Sequence, residues 1–312
     1  MKAVLPALAR PLLEGKLPRD VEPAWFADPE QVKAMIADVA IAWVDMHPTN
    51  LTADAIRAAG PDLRWVSTIY AGMDAFPLDV LRGRRVVLTN GAGVTAKAVA
   101  EYAVLGILAA AKRFDEVVRM RDRREWPKAP PGRGELSGTR ALIVGYGVIG
   151  RLIGDRLAAF GVEITGVTRT GRDGTLGPDA WRGRLGEYDW LILAAPSTYA
   201  TRALIGAAEL AAMKPGAWLI NVARGDMIEE AALLAALADG PMAGAFLDPT
   251  DPEPLPLDHP LWSVPNALIS MHLSGHSQTS MFANAAALFL DNLDAFIAGR
   301  PMRNVVDLDA GY

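Results

Sequence analysis

The chain has 312 residues, which suits about two domains, and 51% of them are hydrophobic, so a large core can be buried. Its formal net charge of −5 gives no reason to expect nucleic acid as a partner, and its densest basic run, Arg119–Arg124, is interleaved with acids as on a solvated helical face. The absence of cysteine excludes disulfides, thiol nucleophiles and cysteine metal sites.

The N-terminal segment MKAVLPALAR predicts a first strand rather than a signal peptide, because its apolar run already ends at Arg10. The longest strongly apolar stretch, Ala103–Ala111, is too short for a bilayer of about 30 Å. We therefore expect no membrane span. A cytoplasmic location is expected, since a chain without cysteine fits a reducing compartment.

Short apolar runs alternate with helical patterns in the first third of the chain. We predict strands at Lys2–Leu8, Ala40–Val44, Arg64–Ile69 and Val86–Thr89, and helices at Pro29–Val39 and Thr52–Ala59. A long helix is predicted from Ala96 to Arg121, followed by a loop rich in Pro and Gly over Glu125–Gly138. Strand–helix alternation of this kind predicts a parallel sheet covered by helices.

A second alternating series follows the loop. Its predicted strands are Arg140–Val144, Val162–Val167, Trp190–Ala194, Trp218–Val222, Ala243–Leu247 and Ala267–Met271. A final helix over Ser280–Ala298 should stop at Gly299, with Pro301 beyond it. The predicted fold class is α/β, with two Rossmann-like, doubly wound parallel-sheet domains and a cleft between them.

A glycine-rich turn between the first strand and helix of this series is the clearest local signal. It reads Gly145-Tyr146-Gly147-Val148-Ile149-Gly150. This GxGxxG pattern lies between a strand and a helix, and a second strand follows, which is the context of a dinucleotide-binding turn. Gly145 permits the tight turn, Gly147 allows close approach of a pyrophosphate, and Gly150 lets the helix pack on the strands.

The end of the next strand bears on the choice between NAD and NADP. NAD-binding proteins of this type place an acidic residue there for the ribose 2′-hydroxyl, whereas this chain reads Val167-Thr168-Arg169-Thr170. Arg169 suits a 2′-phosphate, Thr170 can add a hydroxyl donor, and Asp173 comes too late to be the usual acid. We therefore expect NADP(H) to be favoured over NAD(H).

Three polar residues follow successive strands of the second series, where ligands bind in open α/β sheets. Arg224 can hold a carboxylate in a bidentate pair, and His272 is a natural proton carrier near neutral pH. Glu253 could fix the tautomer of that histidine and raise its pKa. His276 lies four residues after His272, but Gly275 argues against a helix there, and no metal site is expected.

Beyond these residues, the chain resembles the D-isomer-specific 2-hydroxyacid dehydrogenase family over nearly its whole length. The matching segments are TIYAGMDAF, TNGAGVTAKAVAEYAVLGIL, GYGVIG, AAPSTYATRALIG, MKPGAWLINVARGDMIEEAALLAAL, GAFLDPTDPEPLPLDHPLW and LISMHLSGHSQ. The TRT segment is similar to that of the NADP-using glyoxylate and hydroxypyruvate reductases. This resemblance implies reduction of a small 2-keto acid by hydride transfer from NADPH, and a symmetric dimer.

The resemblance also implies roles for individual residues. Arg224, Glu253 and His272 would be the catalytic set, Asp248 would hold the nicotinamide carboxamide, and the loop of Tyr70, Ala71 and Gly72 would contact the substrate carboxylate through backbone N–H groups. The predicted cofactor site further includes Pro196, Thr201, Val222, Ala223 and Ser274. The substrate domain would be discontinuous, with residues 1–97 and 281–312, around a dinucleotide-binding domain of residues 98–280.

Three positions depart from the family pattern. Met271 precedes the histidine where proline is common, and Leu273-Ser274-Gly275 matches the following loop loosely. Pro249-Thr250 replaces an aliphatic–aromatic pair after Asp248. These departures leave the catalytic groups in place but bear on the shape of the pocket.

Other functions on the same fold remain as alternatives. Members of this family can act as NAD(H)-sensing corepressors or scaffolds, and NAD-dependent members act on phosphite or larger 2-keto acids. A formate dehydrogenase is disfavoured, because that branch pairs glutamine with the histidine where this chain has Glu253.

Overall fold

The computed structural model describes residues 1–47, 50–73, 75–277 and 280–311. The chain divides into two compact units: unit 1 is Met1–Thr95 with Ser277–Tyr312, and unit 2 is Ala96–His276. The predicted domain boundaries lie a few residues from these.

Each unit is built on a parallel sheet. The strands are β1 (Lys2–Pro6), β2 (Glu22–Phe26), β3 (Ile41–Ala42), β4 (Trp65–Ser67), β5 (Val87–Thr89), β6 (Arg140–Val144), β7 (Glu163–Val167), β8 (Trp190–Leu193), β9 (Trp218–Asn221), β10 (Gly244–Leu247) and β11 (Ala267–Ile269). Unit 1 has the strand order β2-β1-β3-β4-β5, and unit 2 has β11-β10-β9-β8-β6-β7. All these neighbours pair in parallel. The predicted α/β class with two doubly wound sheets is confirmed.

Helices accompany both sheets. They are α1 (Arg10–Leu13), α2 (Pro29–Met35), α3 (Asn50–Ala58), α4 (Leu78–Gly83), α5 (Ala96–Lys112), α6 (Phe114–Arg123), α7 (Val148–Ala158), α8 (Ala207–Ala211), α9 (Glu230–Asp239) and α10 (Ser280–Ile297). No helix within the described ranges is both long and apolar enough to cross a membrane.

The central strands of unit 2 are buried on both faces, as a parallel sheet between helices requires. All four residues of β8 and of β9 are buried, and so are the last four of β6. Apolar clusters cover both faces of this sheet. The carboxyl ends of these strands are therefore fixed by a packed core, and the ends of β6 to β11 carry the predicted site residues of unit 2.

Residues from both ends of the chain build unit 1. Phe289 of α10 stacks on Trp43 and Trp65, with ring centroids 5.3 and 5.0 Å apart. The amide of Val306 donates to the carbonyl of Leu88 in β5 at 2.9 Å. Aromatic stacking and backbone pairing thus attach the C-terminal segment to the N-terminal sheet.

Strand β2 was missed by the sequence analysis. Its sequence, EPAWF, contains Pro23 and shows no clear alternation of apolar and polar residues, so it carries no local signal of a strand. It pairs with β1 at the edge of the sheet, from Lys2 opposite Glu22 to Pro6 opposite Phe26. An edge strand can accommodate a proline, because one side of its backbone needs no partner.

The prediction of one long helix from Ala96 to Arg121 is wrong, because the chain forms two helices there, α5 and α6. Arg113 adopts a left-handed conformation with φ +47°, which ends α5 at Lys112. The carbonyl of Ala111, which a continuing helix would pair with residue 115, instead accepts the amide of Gly134 at 3.0 Å. The loop that contains Gly134 therefore occupies the carbonyl group that a continuing helix would need.

Several predicted elements are shorter than expected. The first strand ends at Pro6 and passes into a 3₁₀ turn at Ala7–Ala9, and the helix that begins at Pro29 becomes 3₁₀ at Ile36–Asp38. Strand β6 has the predicted bounds, and Gly299 follows α10 with φ +64°.

Candidate active site

The glycine-rich turn connects β6 to α7 in unit 2. Gly145 has φ +96°, and a Cβ atom there would lie 2.3 Å from the amide nitrogen of Ala195, just beyond β8. A Cβ atom on Gly150 would lie 2.4 Å from the carbonyl oxygen of Gly145. Only glycine fits either position, so the turn out of β6 depends on both residues.

Gly147 differs from its neighbours in the turn. It caps the N-terminus of α7, and a Cβ atom placed on it would have no heavy atom within 4 Å among the described residues. Open space in front of a helix N-terminus fits an anion, because free N–H groups and the helix dipole point there. The turn therefore fits the pyrophosphate of a dinucleotide.

The other residues of the motif divide between surface and packing. Val148 is exposed, Ile149 is partly buried, and the ring of Tyr146 packs against Gly154 and Gly166, where any Cβ would collide with it. Tyr146 thus sits between α7 and β7.

The loop after β7 is closed by its own hydrogen bonds. The hydroxyl of Thr168 accepts the amide of Gly171 at 3.1 Å and lies 2.7 Å from the hydroxyl of Thr175, which donates to the carbonyl of Arg172 at 2.6 Å. Thr168 therefore serves the loop itself. Arg169 and Thr170 are exposed on this loop, and no carboxylate follows the strand until Asp173.

The loops after β8 and β9 hold the next predicted site residues. The hydroxyl of Thr201 donates to the carbonyl of Pro196 at 2.7 Å and accepts the amide of Thr198 at 2.8 Å. Val222 and Ala223 are buried beyond β9. The hydrogen bonds of Thr201 give the loop after β8 a defined backbone conformation.

A buried asparagine shapes the turn that carries Arg224. The Asn221 side chain accepts the amide of Ala223 at 3.0 Å and donates to the carbonyl of Arg224 at 2.8 Å. Asn221 is fully buried, so its hydrogen bonds are protected from water. The role of this residue was not predicted, since it depends on local geometry at the end of the strand.

Asp248, at the end of β10, organises the loop that bears the histidine. Its carboxylate accepts the Ser270 hydroxyl at 2.7 Å, the Leu273 amide at 2.9 Å and the Ser274 amide at 3.2 Å. Its backbone carbonyl accepts the amide of His272 at 2.7 Å. The contact of Asp248 with a carboxamide stays a prediction, but its hold on the histidine loop is visible.

His272 and Glu253 form a hydrogen-bonded pair. The Nδ1 atom of His272 lies 3.0 Å from Glu253 Oε2, and the Glu253 carboxylate also accepts the amide of Thr250 at 3.1 Å. The hydrogen bond to Glu253 raises the pKa of His272 above its ordinary value, against partial burial, which favours the neutral ring. Partial burial opposes ionisation of Glu253, but the hydrogen bond and charge of His272, the Thr250 amide and the charge of Arg224 together lower the pKa of that carboxyl.

Arg224 lies close enough to act on this pair electrostatically. Its positive charge helps to lower the pKa of Glu253 and opposes the rise in the pKa of His272. Its guanidinium donates to the carbonyl of Ala223 at 2.8 Å. The structure thus brings a guanidinium, an imidazole and a carboxylate together at the carboxyl ends of neighbouring strands.

The predicted substrate loop belongs to unit 1 and follows β4. The amide of Tyr70 donates to the Thr68 hydroxyl at 3.1 Å, and the carbonyl of Tyr70 accepts the amide of Gly91 at 2.8 Å. The carbonyl of Ala71 accepts the side-chain amide of Asn90 at 3.2 Å. Two residues of the family-like segments, Asp74 and Gln278, lie outside the described residues.

Comparison with known proteins agrees with this geometry. The family model of the D-isomer specific 2-hydroxyacid dehydrogenase NAD-binding domain matches residues 104–274. A glyoxylate/hydroxypyruvate reductase B from Pectobacterium atrosepticum is 34% identical over 284 residues, which are 84% of this chain and 88% of the relative.

Two solved structures cover almost the whole chain. A D-isomer specific 2-hydroxyacid dehydrogenase family protein from Aeromonas salmonicida has a TM-score of 0.88 at 29% identity, over 99% of each chain. The NADPH-dependent glyoxylate/hydroxypyruvate reductase from Sinorhizobium meliloti, solved with NADP and malonate, has a TM-score of 0.77 at 30% identity, over 99% of this chain and 98% of that one.

Unit 2 combines a dinucleotide-binding turn with an imidazole–carboxylate pair and a guanidinium, which are the groups of an oxidoreductase with a nicotinamide cofactor. The chain belongs to the D-isomer specific 2-hydroxyacid dehydrogenase family. The family membership that the resemblance implied is thereby confirmed. The chain is an oxidoreductase of small 2-hydroxy acids.

Proposed function

We propose that this protein is an NADP-preferring reductase of a small 2-keto acid of the glyoxylate or hydroxypyruvate type. The observation that carries the cofactor preference is the loop after β7, where Arg169 and Thr170 occupy the place of the usual acid. A guanidinium and a hydroxyl suit a phosphate dianion, whereas a carboxylate would repel it. The NADPH dependence of the Sinorhizobium meliloti reductase supports this preference.

Four features of unit 2 would hold the cofactor. They are the open N-terminus of α7 at Gly147, the Arg169–Thr170 loop, the turn at Thr201 and the Val222–Ala223 segment. When bound, NADPH supplies a hydride to the keto carbon of the substrate. The loops meet at the carboxyl edge of one sheet, where open α/β folds bind their ligands.

The acid–base work falls to His272. Because Nδ1 of His272 is bonded to Glu253, the ring has Nε2 for proton transfer. Glu253 stabilises the imidazolium, so the ring can be protonated near neutral pH and can donate a proton to the keto oxygen. Arg224 would bind the substrate carboxylate and polarise the keto group. The loop of Tyr70, Ala71 and Gly72 would contact a substrate carboxylate through backbone N–H groups.

The test is steady-state oxidation of NADPH and NADH with glyoxylate, hydroxypyruvate and phenylpyruvate. We expect the highest kcat/KM with NADPH and one of the two smaller keto acids. Replacing Arg169 by alanine should lower kcat/KM with NADPH by roughly tenfold to a hundredfold, because a charge-assisted bond to the 2′-phosphate is lost. The same change should affect NADH little, since NADH lacks that phosphate.

Arg57→Ala serves as the matched control, because Arg57 is an exposed arginine of α3 in unit 1 that pairs with Asp54. It should leave both cofactors unaffected. Equal use of NADH by the wild type would contradict the cofactor preference but not the class of enzyme. Cofactor binding without oxidation on any substrate would contradict the proposed reductase and favour the sensor alternative.

A homodimer in the cytoplasm remains part of the proposal. The resemblance implies the dimer, and Leu105, Phe114 and Trp126 expose apolar surface on and after the helices α5 and α6. Light scattering after gel filtration measures the mass directly, and a mass of 33.3 kDa would contradict the dimer.

A further inference from the structure

A second carboxylate outside the catalytic set lies beside the substrate loop. Asp45 follows β3, and its Oδ2 atom accepts the indole N–H of Trp43 and the amide of Ile69, each at 2.7 Å. Its Oδ1 atom accepts the hydroxyl of Thr68 at 2.5 Å. Three donors from two strand ends thus converge on one carboxylate.

Thr68 passes this interaction on to the loop. Its hydroxyl hydrogen is donated to Asp45, so its oxygen is oriented to accept the amide of Tyr70 at 3.1 Å. Asp45 therefore holds Ile69 directly and Tyr70 through Thr68. These are the two residues that lead into Ala71 and Gly72. Within the described residues, no hydrogen bond uses the amide of Ala71 or Gly72.

An anion here is costly to the fold. Burial raises the pKa of Asp45 to about 6, even though the hydrogen bonds from Thr68, Ile69 and Trp43 favour the charged form. The pKa of Tyr70 is raised by burial and by the charge of Asp45. A neutral side chain would avoid this penalty. The carboxylate is therefore better explained by the loop residues that its hydrogen bonds hold in place.

We propose that Asp45 is a positioning residue, which holds Ile69 and, through Thr68, the Tyr70 amide, and thereby orients the backbone amides of Ala71 and Gly72 toward the substrate carboxylate. Only an ionised carboxylate accepts from all three donors without offering a hydrogen of its own. The inference rests on the proposed function, because that function assigns the substrate carboxylate to this loop. Preorganised donors bind an anion without a cost for ordering them.

Two conservative changes test the inference. Asp45→Asn keeps the size of the side chain but removes its charge, and Thr68→Val removes only the hydroxyl that reaches Tyr70. Each should raise KM for the keto acid roughly tenfold and change kcat by less than about threefold, since binding rather than hydride transfer is weakened. The dissociation constant of NADPH should stay unchanged, because its predicted contacts lie in unit 2.

Thr68→Ser should restore the wild-type KM, since serine keeps the hydroxyl. Asp54→Asn, at an exposed acid on α3 of the same unit, is the control for loss of a negative charge. Hydrogen exchange at Tyr70 provides a second readout that needs no turnover. Its amide should exchange faster in Asp45→Asn and Thr68→Val than in the wild type and in both controls.

The outcomes separate the two proposals. A wild type that reduces no 2-keto acid contradicts the proposed function, and exchange at Tyr70 then still decides the positioning role. Unchanged exchange in both variants overturns the inference. Faster exchange with an unchanged KM in an active enzyme overturns it as well, because Asp45 would then serve the fold alone.

Discussion

Two successive residues of the loop after β11, Met271 and His272, have left-handed backbones with φ +55° and +56°. This conformation costs an L-residue about 1–2 kcal/mol. The three donors that converge on the Asp248 carboxylate, together with its carbonyl, hold the loop in this shape. Met271 stands where the family commonly has proline. Proline cannot adopt a positive φ, so this loop follows its own path at that position.

The pH dependence of reduction should follow His272. Because Glu253 raises the pKa of His272, the protonated ring persists to higher pH than in an isolated histidine. The rate of keto-acid reduction should therefore be high at low pH and fall as pH rises through that pKa. Glu253→Gln should move the fall to lower pH and reduce kcat/KM by roughly a hundredfold, measured as a pH–rate profile with NADPH.

Glu230→Gln is the matched control for this profile. Glu230 Oε2 lies 3.0 Å from His259 Nε2, the same separation as between Glu253 and His272. Removing that carboxylate should leave the profile in place, because His259 caps a 3₁₀ turn through Leu261. A Glu253→Gln profile that coincides with the wild type would show that another group donates the proton.

The residues of the site could be predicted from the sequence, but the residues that position them, Asp45 and Asp248, could not be recognised in that role. Arg224, Glu253 and His272 were predicted from their place after successive strands together with the family resemblance. Asp45 contacts residues 23 and 24 positions away, and Asp248 contacts residues 22 to 26 positions away. No local pattern marks such pairs, because the sheet brings their strand ends together only after folding.

At the scale of elements, apolar periodicity located most helices and strands but not their ends. The break at Arg113 depends on Gly134, and the edge strand β2 depends on pairing with β1. Both features are set by hydrogen bonds to backbone that is distant in sequence rather than by local propensity. The same left-handed conformation closes α6 at Arg124, with φ +58°.

Arg124 offers a test of this view of helix ends. Arg124→Gly should raise the free energy of unfolding by about 1 kcal/mol, because glycine adopts the left-handed conformation without strain. Thermal unfolding of the variant measures the gain. Arg123→Gly, one position earlier within α6, should lower the stability by a similar amount. A destabilised Arg124→Gly variant would contradict the strain at this position.

At the scale of the molecule, the glycine turn and the proposed catalytic residues Arg224, Glu253 and His272 all belong to unit 2. NADPH at about 100 times its dissociation constant should stabilise the protein by about 2.7 kcal/mol, seen as a higher Tm. NADH at the same concentration should stabilise it less if the Arg169 loop binds the 2′-phosphate. Slower hydrogen exchange on NADPH binding should centre on residues 145–150 and 168–172.

Gly147→Ala sharpens this experiment. The structure has room for a methyl group at Gly147, so the variant should melt near the wild type in the absence of cofactor. The methyl group would occupy the space a pyrophosphate needs, so the stabilisation by NADPH should be lost. A full NADPH shift in this variant would place the cofactor elsewhere.

The sequence by itself determined the fold class and the glycine turn. It also predicted the preference for NADP and the three residues Arg224, Glu253 and His272. These features depend on neighbours within one strand–turn–helix unit or on residue chemistry alone. Only the tertiary structure decided the Glu253–His272 hydrogen bond, the hold of Asp248 on its loop and the anchoring of Tyr70 by Asp45. The physical reason is that parallel strands distant in sequence end at one edge of a sheet, and hydrogen bonds across that edge exist only once the sheet has formed.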